Sequence, residues 1–385
     1  MRTLLSYILL LTVFLTLYGL LHYYFYVKSK NAFMLSPLYH GLLLAFLFSM
    51  LVAPILINIS IRFERDLFTT CLAYIGYTWM AALFLFFSIH LMFDVYNGIC
   101  HLTSLISSPV FLKIKIVSKA SFLITLLMVT VIITYGMFEA QNIRTKTVVL
   151  KTKKLPPDIN GLRIVQISDI HFSATNSTRL ARKIVKIIKD LNPDILVSTG
   201  DLIDRDLYDK GKVAALFRDI KVPYGKYAVT GNHEFYTGIE EAVSFTEEAG
   251  FMMLRNEGIT AGDVVNIAGI DDPTSKQFGF VAPVSEDEIL KKFSNNKLTI
   301  LLKHQPRINE KNTALFDLQL SGHTHKGQIF PFSLISARFF PYHNGLFKVG
   351  KQSYLYVTSG TGTWGPPVRF LSPPEITVIL FSPHP

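Results

Sequence analysis

Five short polar motifs in the C-terminal two-thirds of the chain carry residue types that bind divalent metal ions. Their carboxylate, amide and imidazole groups are the hard and borderline donors that transition metals accept in proteins. A pair of such ions can generate hydroxide and neutralise phosphoryl oxygens, so the motifs indicate hydrolysis of a phosphate ester. In chain order the motifs are Asp169-Ile170-His171, Gly200-Asp201-Leu202-Ile203-Asp204, Gly231-Asn232-His233-Glu234, the single His304 and Gly322-His323-Thr324-His325.

Short apolar runs precede these motifs, which predicts that strands position them. Ligands in open α/β sheets bind at the carboxyl ends of the strands, so we expect the polar groups to gather at one sheet edge. The glycines of the motifs are predicted to allow tight turns and close backbone approach. The predicted strands are 162–167, 194–198, 227–230, 298–302, 317–320, 354–358 and 376–381, with a one-sided amphipathic helix over 178–191.

Taken singly, each motif also has an ordinary structural interpretation. An Asp-x-His after a strand is often a capped turn, and a lone histidine such as His304 is often a satisfied polar residue. The His-x-His of His323 and His325 is more typical of a metal site, since alternate residues of an extended segment face the same way. All five motifs in this order favour a shared metal centre over coincidence.

The joint pattern resembles the calcineurin-like metallophosphoesterase superfamily over about residues 160–385. The apolar N-terminal third and the Gly/Pro-rich segment 360–369 resemble the membrane-associated bacterial branch of that superfamily. The resemblance implies a four-layer α/β/β/α sandwich with two divalent ions, for which manganese is the working assignment and Fe²⁺ or Zn²⁺ the alternatives. It further implies that Asp169, His171, Asp201 and His325 hold one ion, and that Asp201, Asn232, His304 and His323 hold the other.

Two catalytic roles follow from the same resemblance. Asp201 would bridge the two ions, and a hydroxide between them would attack phosphorus in line. His233 would not be a ligand but would act near the leaving-group oxygen as a proton donor. Asp204 could order its own loop or hydrogen-bond His233, or it could be a solvated carboxylate of a turn. The role of Glu234 is also open.

One arginine is a candidate for substrate binding. Arg369 follows the Gly/Pro-rich loop, where its guanidinium could grip a phosphate. The alternative is an arginine that faces solvent or the membrane. Arg307, close to His304 in the sequence, is a second candidate for the same task.

The residues before about position 140 are apolar enough to lie in a membrane. Half of the 385 residues are hydrophobic, and the mean hydropathy is +0.34. Four stretches, at 4–27, 38–61, 67–93 and 120–138, reach the length of about 20 residues that a spanning helix needs, with three or five spans as alternatives. The sequence thus predicts a transmembrane helical domain over 1–140, a polar linker over 141–158 and the metallophosphoesterase domain over 159–385.

The charge distribution and the cysteine content limit the expected location, the expected partners and the class of protein. The placement of Lys and Arg beside the apolar stretches favours a multi-pass cell-membrane protein with a cytoplasmic catalytic domain. The net charge of +10 suits an anionic substrate or bilayer surface, and no basic run with interleaved aromatics suggests a nucleic-acid partner. Two cysteines, Cys71 and Cys100, both in the apolar third, exclude a secreted disulfide scaffold.

Placement at a membrane favours a lipid-linked substrate with a phosphodiester or pyrophosphate bond. A specific alternative, known in the wider superfamily, is the pyrophosphatase that cleaves UDP-2,3-diacylglucosamine in lipid A synthesis. A non-catalytic membrane sensor or scaffold is a further alternative, disfavoured because no ligand position is visibly lost. A transporter is disfavoured because the apolar stretches carry few charges. The motifs predict the type of reaction but do not identify the alcohol that is released from the phosphate ester.

Overall fold

The computed structural model describes residues 2–60, 67–173, 177–204, 207, 209–280, 284–293 and 296–383, and the side chains of residues 2–8, 10 and 67 lie outside the description. The chain divides into two compact units. The first comprises Met1–Phe138 with Gly365–Val368, and the second comprises Glu139–Trp364 with Arg369–Pro385. Each unit is built around a different kind of element, helices in the first and two sheets in the second.

Long helices make up the N-terminal part: α1 (Arg2–Ala32), α2 (Pro37–Ser60), α3 (Leu67–Ile106) and α4 (Ser118–Gln141). Within the described residues, three helical segments are long and apolar enough to cross a membrane, at Pro37–Ser60, Phe68–Ile106 and Ser118–Gln141. The first predicted stretch, 4–27, lies within α1, and the count of four spans stays a prediction. Ile61, the predicted end of the second stretch, lies outside the described residues.

Helix α3 continues thirteen residues beyond its predicted end at residue 93. Polar residues follow that point in the sequence, but their side chains find partners without ending the helix. Asp94 accepts hydrogen bonds from Tyr24 Oη and Lys28 Nζ, both at 2.6 Å. Asn97 pairs with both backbone groups of Ile116, at 2.9 Å each. Polarity alone therefore misplaced the end of this helix.

Two six-stranded sheets form the middle of the second unit. The first has the order β1-β12-β2-β3-β4-β5, and the second has the order β10-β11-β9-β8-β7-β6. The strands are β1 (Arg144–Thr152), β2 (Leu162–Ile167), β3 (Ile195–Ser198), β4 (Lys226–Ala228), β5 (Met252–Met253), β6 (Glu257–Ala261), β7 (Val265–Ile270), β8 (Leu298–Lys303), β9 (Leu318–Ser321), β10 (Gly345–Lys348), β11 (Tyr354–Val357) and β12 (Glu375–Pro383). The helices are α5 (Thr178–Leu191), α6 (Lys210–Arg218), α7 (Asn232–Thr237), α8 (Ile239–Glu248), α9 (Glu286–Leu290) and α10 (Phe332–Phe339).

Three apolar clusters stack these elements into the four layers that were predicted. Alternate residues of a strand point to opposite faces, so one strand can serve two clusters. Val165 of β2 packs with α5, α6 and α8, whereas Ile164 of the same strand packs between the sheets. On the far face, Ala268 and Leu301 of the second sheet pack against Ile289 of α9. The α/β/β/α fold is thereby confirmed.

Strand β1 lies inside the segment interpreted as a linker, which corrects that interpretation for nine residues. It pairs in parallel with β12 along its whole length, from Arg144 opposite Glu375 to Thr152 opposite Pro383. Its β-branched residues favour a strand, and only Leu150 is buried. An edge strand can carry many exposed basic residues, which is why its polarity resembled that of a linker.

Candidate metal centre

Five strand ends bring the polar motifs to the same edge of the two sheets. In the first sheet, β2 leads to Asp169, β3 to Asp201 and β4 to Asn232. In the second sheet, β8 leads directly to His304 and β9 to His323. Neighbouring strands β2, β3 and β4 are parallel, as are β8 and β9, so their carboxyl ends meet at one edge. The expectation that strand ends gather the site is confirmed.

One group of donors consists of Asp169, His171 and His325, whose ligand atoms all lie within 4.8 Å of one another. His171 Nε2 is 3.0 Å from His325 Nε2, and His325 Nε2 is 3.5 Å from Asp169 Oδ1. The Nδ1 of His171 faces Asp204 Oδ1 at 3.0 Å. A carboxylate only accepts, so Nδ1 is the donor, and Nε2 is the ring atom that faces the group.

A second group consists of Asp201, His304 and His323, again within 4.8 Å. His304 Nδ1 donates to the carbonyl of Thr199 at 2.8 Å, which leaves Nε2 to face Asp201 Oδ2 at 3.1 Å and His323 Nδ1 at 3.0 Å. The carbonyl is a partner of the kind that fixes the tautomer of metal-binding histidines. Acceptor atoms that converge in this way are satisfied by a cation.

Asn232 supplies an independent indication of fit. Its buried Oδ1 has no hydrogen-bond partner among the described residues. A buried carbonyl oxygen without a donor is unfavourable by about 1–3 kcal/mol, unless another group compensates it. The chemistry of the whole donor set, carboxylate, imidazole and amide oxygen, suits a borderline divalent metal.

Electrostatics support the same assignment. Burial lowers the pKa of His323 to about 3, with nearby His304 adding to the effect, and burial likewise holds the pKa of His325 well below its usual range. Both rings are therefore neutral and offer lone pairs at neutral pH. Asp201 and His304 form an ion pair instead: burial opposes ionisation, but their mutual attraction prevails, lowering the pKa of the carboxyl and raising that of the imidazole. A cation held by His304 Nε2 would therefore displace a proton from that ring.

Asp201 links the two groups: it belongs to the second, and it forms a further set of possible ligands with His171 and His233, whose ligand atoms also lie within 4.8 Å of one another. Its Oδ2 lies 3.1 Å from His304 Nε2 and 3.6 Å from His171 Nε2. Its Oδ1 accepts the backbone N–H of His233 at 2.8 Å, which leaves Oδ2 to serve the two groups. The arrangement is the one expected of a bridging ligand.

His233 lies beside the donors with its ring tied to a carboxylate. Its Nδ1 donates to Asp204 Oδ1 at 2.7 Å. Burial alone would lower the pKa of His233, but the carboxylates of Asp204 and Asp201 outweigh burial and raise that pKa to about 9. Asp204 thus contacts both His171 and His233, which corresponds to the ordering role considered for it and not to a solvated turn.

Glu234 has a structural task that the sequence left open. Its carboxylate accepts the backbone N–H groups of Asp201, Leu202 and Gly231, at 2.9, 2.8 and 2.6 Å. It therefore joins the loop after β3 to the loop after β4. Gly231 is required in this junction, because a Cβ there would lie 2.2 Å from Asp201 Oδ1.

The ligand loops hold an unusual backbone conformation. Asp169, His171, Asp201, His323 and His325 all have positive φ, between 47° and 70°. Residues other than glycine rarely adopt that region, and each such residue costs about 1–3 kcal/mol unless its surroundings hold it. The strand ends and the hydrogen bonds described above hold these five residues in place, which indicates a site organised for function.

Arg369 occupies a different place from the one predicted for a phosphate-binding residue. It is fully buried. Its Nε and Nη2 donate to the carbonyl of Gly362, and its Nη1 donates to the carbonyls of Ser359 at 2.6 Å and His325 at 3.3 Å. The guanidinium therefore holds the loop of a metal-ligand candidate and is engaged by backbone carbonyls at every nitrogen.

Aromatic rings surround the donors, and no sequence motif pointed to them. The ring of His233 meets those of Tyr236 and Trp364 edge-on, with centroids 5.4 and 5.8 Å away. The ring of His323 meets Phe340 in the same way at 4.9 Å. Arg307 lies over Phe340, 5.9 Å from the ring centroid. These rings come from loops far apart in sequence, so only the fold brings them together.

Comparison with known proteins is consistent with this geometry. Residues 162–327 match the family model described as calcineurin-like phosphoesterase. An uncharacterized metallophosphoesterase of Aquifex aeolicus is 35% identical over 246 residues, which cover 64% of this chain and 94% of that protein. An uncharacterized metallophosphoesterase of Helicobacter pylori is 36% identical, over 58% of this chain and 60% of that protein.

Another relative, from Danio rerio, is named as a transmembrane protein. A transmembrane protein with metallophosphoesterase domain from Danio rerio is 32% identical over 69% of this chain and 64% of its own length. The chain thus spans a little under two thirds of the Helicobacter and Danio relatives. Among solved structures, a dimetal phosphatase from Danio rerio aligns with 52% of this chain and 87% of its own at 13% identity and a TM-score of 0.35.

Proposed function

The chain belongs to the calcineurin-like metallophosphoesterase family, and on that premise we propose that it is a membrane-anchored enzyme that hydrolyses a phosphodiester or pyrophosphate bond in a lipid-linked substrate. The observation that supports this most strongly is the pair of donor groups with Asp201 between them, its Oδ2 facing both His304 and His171. Members of the family use a dimetal centre. When bound, the two ions would supply Lewis acidity and lower the pKa of a water molecule.

Seven residues of this chain would hold the ions. Asp169, His171 and His325 form one set and His304, His323 and Asn232 the other, with Asp201 common to both. We assign manganese as the working metal, with Fe²⁺ or Zn²⁺ as alternatives that the same donors accept.

The remaining polar side chains have tasks that their contacts define. Asp204 keeps His233 oriented and positively charged, so the ring can give a proton from Nε2 to the leaving-group oxygen. Asp204 also fixes the ring of His171, and Glu234 fixes the backbone around Asp201. Such partners keep the donor atoms in position before substrate arrives.

The lipid-linked part of the proposal rests on the apolar helices. Three candidate spans, and relatives whose names describe transmembrane proteins, support membrane association. We propose a multi-pass protein of the cell membrane with a cytoplasmic catalytic domain and the bilayer as its environment. A lipid-linked phosphoester is the substrate class that such an enzyme would meet, and no nucleic-acid partner is proposed.

The test is hydrolysis by the full-length protein in detergent with Mn²⁺. Two substrates are compared, UDP-2,3-diacylglucosamine and a generic aryl phosphodiester. We expect Mn²⁺-dependent hydrolysis of the aryl ester by the wild type and a loss of about 100-fold or more in Asn232→Ala. The matched control is Asn160→Ala, an exposed asparagine outside the site, which should retain full activity.

The outcomes distinguish the general phosphoesterase activity, the particular nucleotide substrate and the non-catalytic alternative. Release of UMP would identify the diacylglucosamine nucleotide as a substrate. Cleavage of the aryl ester alone would keep the enzyme and discard that nucleotide. No metal-dependent hydrolysis of either substrate would favour the non-catalytic sensor or scaffold.

A further inference from the structure

Helix α10 presents its apolar side chains outward and its small polar ones inward. Leu334, Ile335 and Phe339 are 65%, 48% and 73% exposed, and no residue of the helix is buried. On the other side, Ser336 Oγ bonds His343 Nε2 at 2.6 Å, and Ser333 packs so closely on Gly327 that a Cβ there would lie 2.3 Å from its Cα. This polarity is the reverse of that of a helix covering a core.

The segment containing α10 is attached to the metal centre. It begins seven residues after His325, and Phe340, which follows its last residue, packs edge-on against the ring of His323. Thr324, between the two histidines, donates its hydroxyl to the carbonyl of His343 at 2.7 Å. The segment that carries the outer face of α10 is therefore packed on the loop of the candidate ligands His323 and His325.

A cleft of about 430 Å³ adjoins the end of this helix. Aromatic and aliphatic side chains line it together with two exposed charged residues, Arg307 and Glu310. Phe340 lines this cleft and also packs against His323, so a single side chain separates the cleft from a candidate metal ligand. The residues that line it include Arg307, Ile308, Phe339, Phe340, Tyr342 and Val349.

The path of the chain indicates what covers this face. The last candidate span, α4, ends at Gln141, and β1 begins at Arg144. Arg144 lies opposite Glu375 in β12, and the start of β12 runs alongside the end of β2, where Asp169 follows. The chain thus enters the first sheet, from a candidate span, at the edge that carries the ligands, which favours lipid as the occupant of the face.

Charge favours the same occupant. No acidic residue occurs between Asp317 and Glu375, whereas Lys326, Arg338 and Lys348 do. All three basic residues are exposed or half-buried. Apolar side chains flanked by lysine and arginine are the pattern of a helix that lies in the interface of an anionic bilayer.

We propose that the outer face of α10 docks on the lipid bilayer and that the adjoining cleft receives an acyl chain of the substrate beside the metal centre. The substrate part of this inference rests on the proposed phosphoesterase function, whereas the docking part does not. Docking would hold the centre at the lipid surface, where a phosphoester headgroup is found.

The docking is tested by spin labels on the full-length protein in anionic liposomes. Both native cysteines are first replaced, as Cys71→Ala and Cys100→Ala. Single labels are then placed by Ile335→Cys on α10 and by Met252→Cys, a 52% exposed control on β5. We expect the label at 335 to be accessible to oxygen and protected from a water-soluble nickel chelate, and the label at 252 to be accessible to the chelate.

Two results would overturn the docking. Equal accessibility of both labels to the nickel chelate would place α10 in water. Protection of the label at 335 from oxygen as well as from the chelate would mean that protein, such as a second copy of the chain, covers this face instead of lipid.

The substrate part is tested with the double variant Ile335→Ser, Phe339→Ser. We expect its hydrolysis of a bilayer-borne phosphodiester lipid to fall about tenfold further than its hydrolysis of a soluble aryl phosphodiester, because two apolar contacts with lipid are lost. An equal fall with both substrates, or no fall with either, would overturn the acyl-chain assignment. Absence of wild-type activity on both esters would instead refute the proposed function, and the spin-label result would stand by itself.

Discussion

At the scale of single residues, Arg369 shows how a buried charge can organise a site without touching substrate. Burial lowers its pKa to about 10 although Asp169 and Glu375 oppose the shift, so the guanidinium stays charged at neutral pH. Its donors hold the carbonyls of Ser359 and Gly362, and that of His325. A planar group with five N–H donors is needed to reach three carbonyls in two loops at once.

We therefore expect Arg369→Lys and Arg369→Gln to weaken Mn²⁺ binding by about 10–100-fold, the range typical for partners of metal ligands. Lysine should not rescue the loss, because one ammonium cannot reproduce the planar set of hydrogen bonds. Mn²⁺ titration, followed by the electron paramagnetic resonance of the free ion, measures this directly.

The matched control is Arg182→Gln, which removes an exposed arginine of α5 outside the site and should leave Mn²⁺ affinity unchanged. A higher KM with unchanged Mn²⁺ affinity in Arg369→Gln would restore the phosphate-binding interpretation. Thermal unfolding of each variant shows whether the protein is still folded under the assay conditions.

At the scale of elements, β1 combines two very different faces. Leu150 is 8% exposed and packs with residues between the two sheets, whereas Val149 is 60% exposed. The strand forms an edge of the first sheet and covers β12. Its contribution to stability should therefore come from one side chain and from the backbone ladder.

We expect Leu150→Ala to lower the free energy of unfolding by about 2–4 kcal/mol, since it removes buried methyl groups and leaves a cavity. Val149→Ala, on the exposed face, should change it by less than about 0.5 kcal/mol. Thermal unfolding in detergent gives the comparison, and equal effects of the two substitutions would show that β1 is not anchored as described.

The elements that carry the site could be predicted, because their signals are local. Each candidate ligand follows an apolar run, as Asp169 follows β2 and His304 follows β8. Strand β1 was assigned to the linker, and strands β5, β6, β7 and β10 were not predicted, since such short runs carry little periodicity of their own. The burial of Arg369 and the outward face of α10 depend on contacts across the fold, which spacing along the chain does not encode.

At the scale of the whole molecule, the boundary of the catalytic unit lies earlier than predicted. The compact unit begins at Glu139, not at residue 159. Arg144 Nη2 pairs with Glu139 Oε1 at 2.5 Å, and Lys183 Nζ donates to the carbonyl of Gln141. These contacts attach the end of α4 to the unit that contains the metal centre.

We expect a fragment of residues 139–385 to fold in detergent and bind Mn²⁺, and a fragment of residues 159–385 to unfold at a lower temperature or to aggregate. The shorter fragment lacks β1 and so leaves β12, rich in buried residues, as an unprotected sheet edge. Circular dichroism melting of the two fragments decides the matter. Equal melting temperatures of the two fragments would show that the folded catalytic unit begins at residue 159.

The short connection between α4 and β1 also bears on how rates should be expressed. Only Asn142 and Ile143 separate the two elements, and two residues reach about 7 Å at most. An enzyme tethered so closely would meet a bilayer-borne substrate by lateral diffusion in two dimensions. Its turnover would follow the mole fraction of substrate among the surrounding lipids, and the volume of buffer around the vesicles would not enter the rate law.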